Sequence, residues 1–353
     1  MKSKIKRFDK NRFLLVGDAS GFTIKGESKM EKMIVGVDLG GTSIKLALLT
    51  NDGQFIEKWE VPTDKSDQGK HIPKTITIAI EDKLKEMNKT KDDVAGIGIG
   101  APGSVRLEDG LIFAAVNLGW VNFPLKSILE KESGIPVIVD NDANIAAVGE
   151  MWKGAGNGAK DVVMITLGTG VGGGVIVNGK VAHGISGAAG EIGHITVQPE
   201  NGVLCNCGKS GCLETISSAT GIVRIANETL QSTTKDTILK KKFAENAITT
   251  KDVFDAFKDG DEVATEIVNH VMKYLALVLA GVGNTLNPEN IIIGGGVSNA
   301  GELLLKPLRK YFDEYAFTTV RESTKLSIAQ LGNDAGAIGA AYLVKQFITK
   351  EIN

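Results

Sequence analysis

The stretch VVMITLGTGVGGG, at residues 162–174, is an apolar run that leads into a segment rich in glycine. The same arrangement occurs earlier in the chain, where residues 34–42 read IVGVDLGGT. Short apolar runs bounded by glycine predict buried β-strands that end in tight turns. Because one strand-and-turn signal occurs twice, the sequence predicts a duplicated unit.

Three more landmarks follow in the same order in both halves. They are a hairpin signal (residues 51–53 and 178–179), an apolar strand ending at glycines (94–103 and 291–296) and an Asn-Asp-Ala tripeptide (141–143 and 333–335). Strands alternate with a stretch of helical spacing at 73–87, which indicates α/β halves. Ligands of such sheets bind outside the carboxyl ends of the strands, so a cleft between the halves is the expected site.

The composition excludes several classes of protein. The 353 residues include 43 glycines without a G-x-y repeat and only 3 cysteines, an odd number that argues against a disulfide scaffold. The 40 basic and 42 acidic residues nearly cancel, which argues against a general polyanion binder. No apolar run approaches the ~20 residues of a membrane span. We therefore expect a cytoplasmic protein that binds neither nucleic acid nor a membrane.

The length predicts two domains with additions at both ends. Residues 1–32 form a basic extension that we expect to be poorly ordered, rather than an arm for membranes or nucleic acid. An N-terminal α/β lobe is expected at 33–150, and a C-terminal α/β lobe at 151–332 carries extra residues that contain every cysteine. A C-terminal helix is expected at 333–353, where it could pack back on the first lobe.

The first glycine-rich turn is suited to an anion. Gly40 and Gly41 would let backbone N–H groups approach a phosphate, and the Thr42 hydroxyl adds a donor. Asp38, beside that anion, would hold Mg²⁺ directly or through water. The alternative is a tight hairpin in which the aspartate satisfies its own backbone, and this segment alone leaves both interpretations open.

The second turn is richer, with five glycines in the eight residues 167–174. Glycines weaken a strand, so a ligand or a close backbone approach explains the stretch better, and we favour a bound phosphate over a structural bulge. Residues 294–296 (GGG) follow another buried strand, where backbone without side chains would admit an adenine or a ribose. Close packing of a helix on the strand explains that segment equally well.

Asn141 and Asp142 follow a strand and open a predicted helix. Both residue types are preferred N-caps, and Asn333-Asp334 occupies the corresponding place in the second half. Phosphoryl transfer needs a carboxylate near the attacking hydroxyl to accept its proton. Asp142 is therefore either a general base or a helix cap.

A cysteine cluster with one histidine is the most specific signal. Cys205, Cys207 and Cys212 lie within eight residues, and His194 precedes the first of them by eleven. Three cysteines and a histidine form a closed tetrahedral set, which is typical of structural zinc. Scattered core cysteines or a redox C-x-C pair are the alternatives.

Two carboxylates flank this cysteine knuckle, Glu191 before His194 and Glu214 after Cys212. A metal would hold both rigidly near one place, where they could accept hydrogen bonds from sugar hydroxyls. The alternative is solvated surface charge.

Together these motifs resemble the repressor/open-reading-frame/kinase (ROK) family over residues 33–341. The knuckle C-x-C-G-x-x-G-C after E-x-G-H is highly specific, whereas D-x-G-G-T is shared by actin-like ATPases and hexokinases. Residues 149–154 (GEMWKG) and 212–215 (CLET) resemble the bacterial ATP-dependent glucokinases of this family in particular.

The resemblance implies an α/β, two-lobed actin/hexokinase-like fold, a duplicated ribonuclease H-like unit with an interlobe cleft and an inserted zinc knuckle. It also implies a homodimer that uses ATP and Mg²⁺ to phosphorylate a hexose, glucose above all, at the 6-hydroxyl. Asp142 matches the family's general base. The other matches are sugar contacts at Gly103, Asn141, Glu191, His194 and Glu214, phosphate-loop positions at Thr42, Thr169 and Gly170, nucleoside-side positions at Gly294, Gly295 and Gly296, and zinc ligands at His194, Cys205, Cys207 and Cys212.

Two rival functions stay open. A kinase for fructose, mannose or N-acetylmannosamine would carry the same motifs, because pocket shape distinguishes these sugars. A sugar-responsive DNA-binding regulator would carry a helix-turn-helix region, for which residues 1–32 are short and lack two-helix periodicity. An inactive paralogue is disfavoured because every matched position is intact.

Overall fold

The computed structural model describes residues 14–18, 21–25 and 32–352. Its strands are β1 (Leu14–Asp18), β2 (Gly21–Lys25), β3 (Met33–Leu39), β4 (Ser43–Leu49), β5 (Phe55–Pro62), β6 (Val94–Ala101), β7 (Val105–Arg106), β8 (Leu111–Ala115), β9 (Trp120–Phe123), β10 (Val137–Asn141), β11 (Val162–Leu167), β12 (Val171–Val177), β13 (Lys180–Val181), β14 (Asn290–Gly294) and β15 (Lys325–Ile328). Its α-helices are α1 (Ile72–Glu86), α2 (Leu125–Ser133), α3 (Asp142–Lys153), α4 (Glu214–Ser217), α5 (Ala219–Ser232), α6 (Lys240–Ala244), α7 (Thr250–Lys258), α8 (Glu262–Leu286), α9 (Glu302–Tyr315), α10 (Thr318–Ser323) and α11 (Ala335–Ile352).

Two five-stranded sheets share one topology. The order is β10-β6-β3-β4-β5 in the first sheet and β15-β14-β11-β12-β13 in the second. In each sheet three successive antiparallel strands are followed by two strands parallel to the first of them. Asn333-Asp334 directly precede α11, as Asn141 directly precedes α3. The predicted duplication and the α/β class are confirmed.

Both predicted hairpin signals form turns, but only the second turn has positive φ at both of its central residues. Gly53, with φ 83°, lies between β4 and β5, and Asn178 and Gly179, with φ 52° and 72°, join β12 to β13. Positive φ at both central residues belongs to the type I′ turn, whose twist matches that of the flanking strands. These residue types therefore fix where each hairpin reverses.

The first strand of the first sheet, β3, is buried on both faces. Val35 and Val37 pack into a core with α1 and α2, whereas Ile34 packs into a second core with Ala337 and Ala341 of α11. Successive side chains of a strand point to opposite faces, so a strand covered on both sides is apolar throughout. The last helix of the chain thus covers one face of the first sheet.

Two helices, α3 and α11, pack against each other and connect the halves. α11 lies on β3 and β6, and α3 lies on β11 and β12. A Cβ added at Gly36 would lie 2.1 Å from the Ala337 carbonyl oxygen, and one at Gly339 would lie 1.7 Å from that of Ile145. No side chain fits in such gaps, so glycine is required wherever backbone approaches backbone.

Three of the five glycines assigned by sequence to the second phosphate turn lie inside β12 instead. An added Cβ would lie 3.4 Å from the Ala143 Cβ at Gly172 and 2.7 Å from the Ala147 Cβ at Gly174, both on α3. Gly173 likewise faces the Gly190 carbonyl. These three glycines make room for neighbouring backbone and for a helix, so the phosphate interpretation is wrong for them and the alternative of a close backbone approach holds.

A buried carboxylate ties the end of α3 to the segment before α11. Glu150 is 0% exposed and accepts hydrogen bonds from the N–H groups of Ala155 (2.8 Å), Gln330 (3.1 Å) and Leu331 (2.7 Å). Buried charges need such partners, since an unpaired one is strongly destabilising. Glu150 therefore fixes how the two connecting helices meet.

We expect Glu150→Gln to lower the free energy of unfolding by about 2 kcal/mol, because the amide turns a donor toward at least one backbone N–H and leaves it unsatisfied. Chemical denaturation followed by circular dichroism measures this loss. Glu81→Gln, an exposed glutamate of α1, is the matched control and should stay within about 0.5 kcal/mol of the parent. Equal stability of both variants would contradict the role of Glu150.

A long insertion between β13 and β14 enlarges the second half. It contains the knuckle and helices α4 to α8, and with α9 it forms an extensive hydrophobic core. Among the described residues, α8 alone is long and apolar enough to cross a membrane by length and composition, yet 61% of its apolar window is buried inside the protein. Its apolar side chains instead build this core.

Part of the basic extension forms a hairpin, in which β1 pairs with β2. The rest of residues 1–32 lies outside the described residues, apart from Lys32, so the poor order expected there stays a prediction. The boundaries at 33–150, 151–332 and 333–353 also stay predictions.

Candidate active site

The turn between β10 and α3 carries Asp142. Asn141 caps the helix, since its Oδ1 accepts hydrogen bonds from the N–H groups of Ala143 (2.9 Å) and Asn144 (3.2 Å). Its Nδ2 donates to the Gly103 carbonyl (3.1 Å). Asn141 is thus the N-cap, while Asp142 is the first residue of the helix and its Oδ1 also accepts a hydrogen bond from Ala143 N–H (2.8 Å).

Burial and the charge of Asp38, near the end of β3, both affect the pKa of Asp142. Burial raises the pKa of Asp142 to about 6; the hydrogen bond from Ala143 N–H opposes this rise, and the charge of Asp38 adds to it. Burial also raises the pKa of Asp38, with Lys45 opposing. A carboxylate that titrates near neutral pH suits a proton acceptor.

The turn between β3 and β4 contains Gly40, Gly41 and Thr42. Thr63 holds it closed, with its hydroxyl donating to the Gly40 carbonyl (2.7 Å) and its N–H to the Thr42 carbonyl (3.0 Å). Thr42 itself is exposed. Asp38 lies against the start of α11, where a Cβ at Gly336 would be 2.7 Å from its Cγ. The turn thus leaves the threonine accessible and the aspartate half-buried.

The turn before β12 is held by α5. Ala219 N–H donates to the Gly168 carbonyl (2.7 Å), and the Thr220 hydroxyl donates to the Thr169 carbonyl (2.8 Å). Gly168 N–H donates in turn to the Gly170 carbonyl (2.9 Å). Thr169 is exposed at the tip of this rigid turn, as a phosphate-binding position requires.

Glu214 links this turn to the cysteine knuckle. Its Oε2 accepts a hydrogen bond from Val171 N–H (2.9 Å), and its Oε1 accepts one from the Cys205 thiol (3.4 Å). A Cβ at Gly170 would lie 2.4 Å from Oε2, so a side chain at this position would displace the carboxylate. Glu214 is therefore not a solvated surface charge.

The three glycines at the end of β14, Gly294, Gly295 and Gly296, lie beside the same turn. Gly294 pairs with Thr166 in the parallel ladder of β11 and β14. Gly295 has φ 80°, and an added Cβ would be 2.5 Å from the Leu167 carbonyl oxygen. Gly296 is exposed, with open space around its missing side chain. Room for a ligand therefore exists next to the glycine-rich turn.

The four predicted metal ligands converge. One atom each of His194, Cys205, Cys207 and Cys212 lies within 4.8 Å of all the others. Cys205 Sγ is 3.6 Å from His194 Nδ1, and Cys207 Sγ is 3.6 Å from Cys212 Sγ. Ligands at about 2.0–2.3 Å from one tetrahedral zinc are roughly 3.3–3.8 Å apart, so this donor set fits the ion.

The backbone of the knuckle brings these ligands into position. Gly208 and Gly211 have φ 88° and 76°, and Cys205 N–H donates to the Lys209 carbonyl (2.7 Å). Burial raises the pKa of the Cys205 thiol to about 12. A divalent cation would supply the positive charge that such a thiol needs to ionise.

His194 presents its two ring nitrogens to different neighbours. Nδ1 faces the sulfur of Cys205, whereas Nε2 is 3.9 Å from Glu191 Oε2. Glu191 is exposed and His194 is half-buried. One imidazole can therefore bind the ion and still point its other nitrogen toward a ligand.

Contacts along β12 bring the separate groups together. Ala143, next to Asp142, packs on Gly172, and a Cβ at Gly193 would lie 2.1 Å from the Val171 carbonyl oxygen. The start of α3, the glycine-rich turn and the segment with Glu191 and His194 therefore meet at one end of this strand.

One residue pair next to this site is not evident from the sequence. Asp140 is 3% exposed, and its Oδ2 accepts a hydrogen bond from His183 Nε2 (2.8 Å). A charged residue near the end of an otherwise apolar strand was the available signal, but its partner lies in a distant loop. Spacing along the chain does not reveal such a contact.

Comparisons with known proteins agree with this geometry. Residues 34–347 match the model of the ROK family. A glucokinase of Halalkalibacterium halodurans is 53% identical over 316 residues, which are 90% of this chain and 96% of that relative. The structure of a ROK glucokinase from Streptomyces griseus in complex with glucose and AMPPNP is 36% identical, with a TM-score of 0.71 over 89% of this chain and 99% of that one.

A regulator is also similar. A xylose repressor of Caldicellulosiruptor bescii is 30% identical over 311 residues, which are 88% of this chain and 77% of the repressor. Kinases and regulators thus share the matched region. On the family model and these identities, the chain belongs to the ROK family.

Proposed function

We propose that this protein transfers the γ-phosphoryl group of ATP to the 6-hydroxyl of glucose. The observation that carries the proposal is Asp142, a carboxylate with a pKa of about 6 that lies beside two glycine-rich turns. The N-cap of its helix is Asn141, not Asp142. The similarity to the Halalkalibacterium halodurans glucokinase supports glucose as the substrate.

In the proposed step Asp142 acts as general base. Its carboxylate accepts the proton of the sugar 6-hydroxyl while that oxygen forms a bond to the γ-phosphorus. The bond from phosphorus to the bridging oxygen breaks, and ADP leaves with the bonding electron pair. Positioning of the two reactants supplies most of the rate, since a phosphoryl transfer needs little covalent help from the protein.

The nucleotide is proposed to bind along the glycine-rich turns. Thr42, Thr169 and Gly170 would contact its phosphates, and Asp38 would hold Mg²⁺, whose charge stabilises phosphate oxygens when it is bound. A cavity of about 920 Å³ adjoins the turn before β12. Thr220 lines it together with Ala219, Phe243, Ile248 and Thr250. Together with Gly294, Gly295 and Gly296, this cavity offers space for the nucleoside.

The sugar is proposed to bind between Asn141, Glu191, His194 and Glu214, with Gly103 at the edge. Carboxylates accept hydrogen bonds from hydroxyls, and the bond from Asn141 to Gly103 fixes the wall of this pocket. Zinc in the knuckle would be structural, because all four ligands come from the protein.

The activity should depend on pH through Asp142. The base must be ionised, so kcat/KM is expected to fall tenfold per pH unit below about pH 6 and to level off above it. Initial rates from pH 4.5 to 8.5 with saturating ATP measure this dependence of kcat/KM on pH. An acid limb centred near pH 4 would contradict the raised pKa.

A panel of sugars tests the proposed function. Coupled assays with glucose, mannose, fructose and N-acetylmannosamine should give the highest kcat/KM with glucose. A preference for another hexose would change the substrate but keep the reaction. A regulator would be favoured if the protein consumed no ATP in the presence of sugar and retained DNA of a specific sequence. The matched region spans 77% of the xylose repressor.

Assembly and location form part of the same proposal. The resemblance to this family implies a homodimer, and the composition favours a location in the cytoplasm. Light scattering after gel filtration should then give about twice the 37.3 kDa chain mass.

A further inference from the structure

The pair Asp140–His183 crosses between the two halves of the molecule. Asp140 lies near the end of β10 in the first sheet, and His183 follows β13 of the second sheet. Asp140 Oδ2 and His183 Nε2 are 2.8 Å apart, with 4% and 21% of the two side chains exposed. A contact this well buried is held in one geometry and is little screened by solvent.

The other oxygen of Asp140 supports the turn that carries Asp142. Oδ1 accepts hydrogen bonds from Asn141 N–H (2.7 Å) and from Asn144 Nδ2 (2.9 Å). These donors flank Asp142 on both sides in the chain. One carboxylate therefore braces the turn with one oxygen and binds the opposite half with the other.

His183 begins the segment that leads to Glu191 and His194. Its carbonyl accepts a hydrogen bond from Ala189 N–H (3.0 Å), which closes the loop. Within that loop, a Cβ at Gly187 would lie 2.7 Å from the Val105 carbonyl oxygen of the first half. The loop thus touches the first half at two points before the chain reaches the proposed sugar contacts.

We infer that Asp140 and His183 are positioning residues that align the turn bearing Asp142 with the segment bearing Glu191 and His194. Neither is placed against the substrate; each acts through its neighbours. The inference rests on the proposed hexose phosphorylation. Misplacement of a base by about 1 Å can cost 10²-fold in rate, so loss of this contact should be visible in kcat.

The test compares variants that keep or remove the donor to Asp140. His183→Leu removes it, and we expect kcat to fall about tenfold or more while KM for ATP changes less than about twofold. His183→Gln places an amide N–H near the position of Nε2 and should recover most of the loss. His71→Leu, which changes an exposed histidine before α1, is the matched control and should behave as the parent.

The outcomes separate this inference from the proposed function. No hexose-dependent ATP turnover by the parent protein refutes the proposed function. If the parent protein is active, two results refute the positioning role alone. One is that His183→Leu has the kinetics of the parent, and the other is that His183→Gln is no more active than His183→Leu. If His183→Leu does not fold, His183→Gln against His183→Asn gives the same contrast, since the shorter amide does not reach Asp140; equal kinetics of these two would refute the role.

Discussion

Replacing Asp142 with Asn should lower kcat about 10³-fold, within the 10²–10⁴-fold range of general base catalysis and equal to about 4 kcal/mol in the barrier. The amide keeps the shape of the side chain and can still accept the hydrogen bond from Ala143 N–H, but it cannot take up a proton. Hexose affinity should therefore change little. Coupled assays give kcat, and isothermal titration with glucose gives the affinity.

The duplicated fold supplies a matched control. Asp334 occupies the place before α11 that Asp142 has at the start of α3, but its partner is the exposed Lys58, at 2.9 Å. Asp334→Asn should keep parental turnover and lose at most about 1 kcal/mol of stability. Turnover of Asp142→Asn within about threefold of the parent would assign proton acceptance to another group.

As pH rises, the stability contributed by Asp142 should fall while the activity that depends on it rises. The folded pKa of Asp142 lies above the ordinary value of an aspartate, so its contribution to stability is greatest below about pH 4 and is lost as pH rises through about 6. At pH 8 the charged carboxylate is therefore unfavourable in the fold, and Asp142→Asn should not lower the melting temperature. The melting temperature of Asp142→Asn therefore distinguishes a variant that has lost its general base from one that has lost its folded structure.

Replacing Cys207 with Ser should remove zinc and with it most hexose binding. Cys207 is exposed, unlike Cys205 and Cys212, so its loss leaves no cavity and the effect reports the metal. Structural zinc contributes about 10–16 kcal/mol of binding energy in small fingers, which is folding energy for the segment it organises. We expect about one zinc per chain in the parent, much less in the variant, and a rise of tenfold or more in KM for glucose.

Asn206→Ala is the control for this experiment. It changes an exposed residue between two ligands without touching the donor set, so zinc content and KM should match the parent. Elemental analysis of protein prepared without added metal gives the stoichiometry. Full activity and an unchanged melting temperature in metal-free protein would rule out the structural role.

The fold could be predicted because its landmarks are local and occur twice. The strand-and-turn signal at residues 34–42 and 162–174 placed β3 and β11, and the Asn-Gly turn at 178–179 placed the hairpin of the second sheet. The convergence of His194, Cys205, Cys207 and Cys212 was predictable for the same reason, since these residues are close together in the sequence.

Long-range contacts were not predictable. Gly172 and Gly174 look like members of an anion turn until α3 is known to lie on β12. Asp140 and His183 meet only because two sheets are brought together, and Glu150 finds its donors Gln330 and Leu331 in the segment before the last helix. Each partner set depends on the assembled halves rather than on spacing along the chain.

The packing of α11 on β3 has a consequence for biosynthesis. Ile34 and Leu49 share a core with Ala337 and Val344, so one face of the first sheet stays uncovered until α11 has left the ribosome. The first half can then form strands early but cannot complete its core during translation. Ribosome-stalled nascent chains that end before α11 should accordingly be cleaved by protease in the first half, and chains extended through α11 should resist.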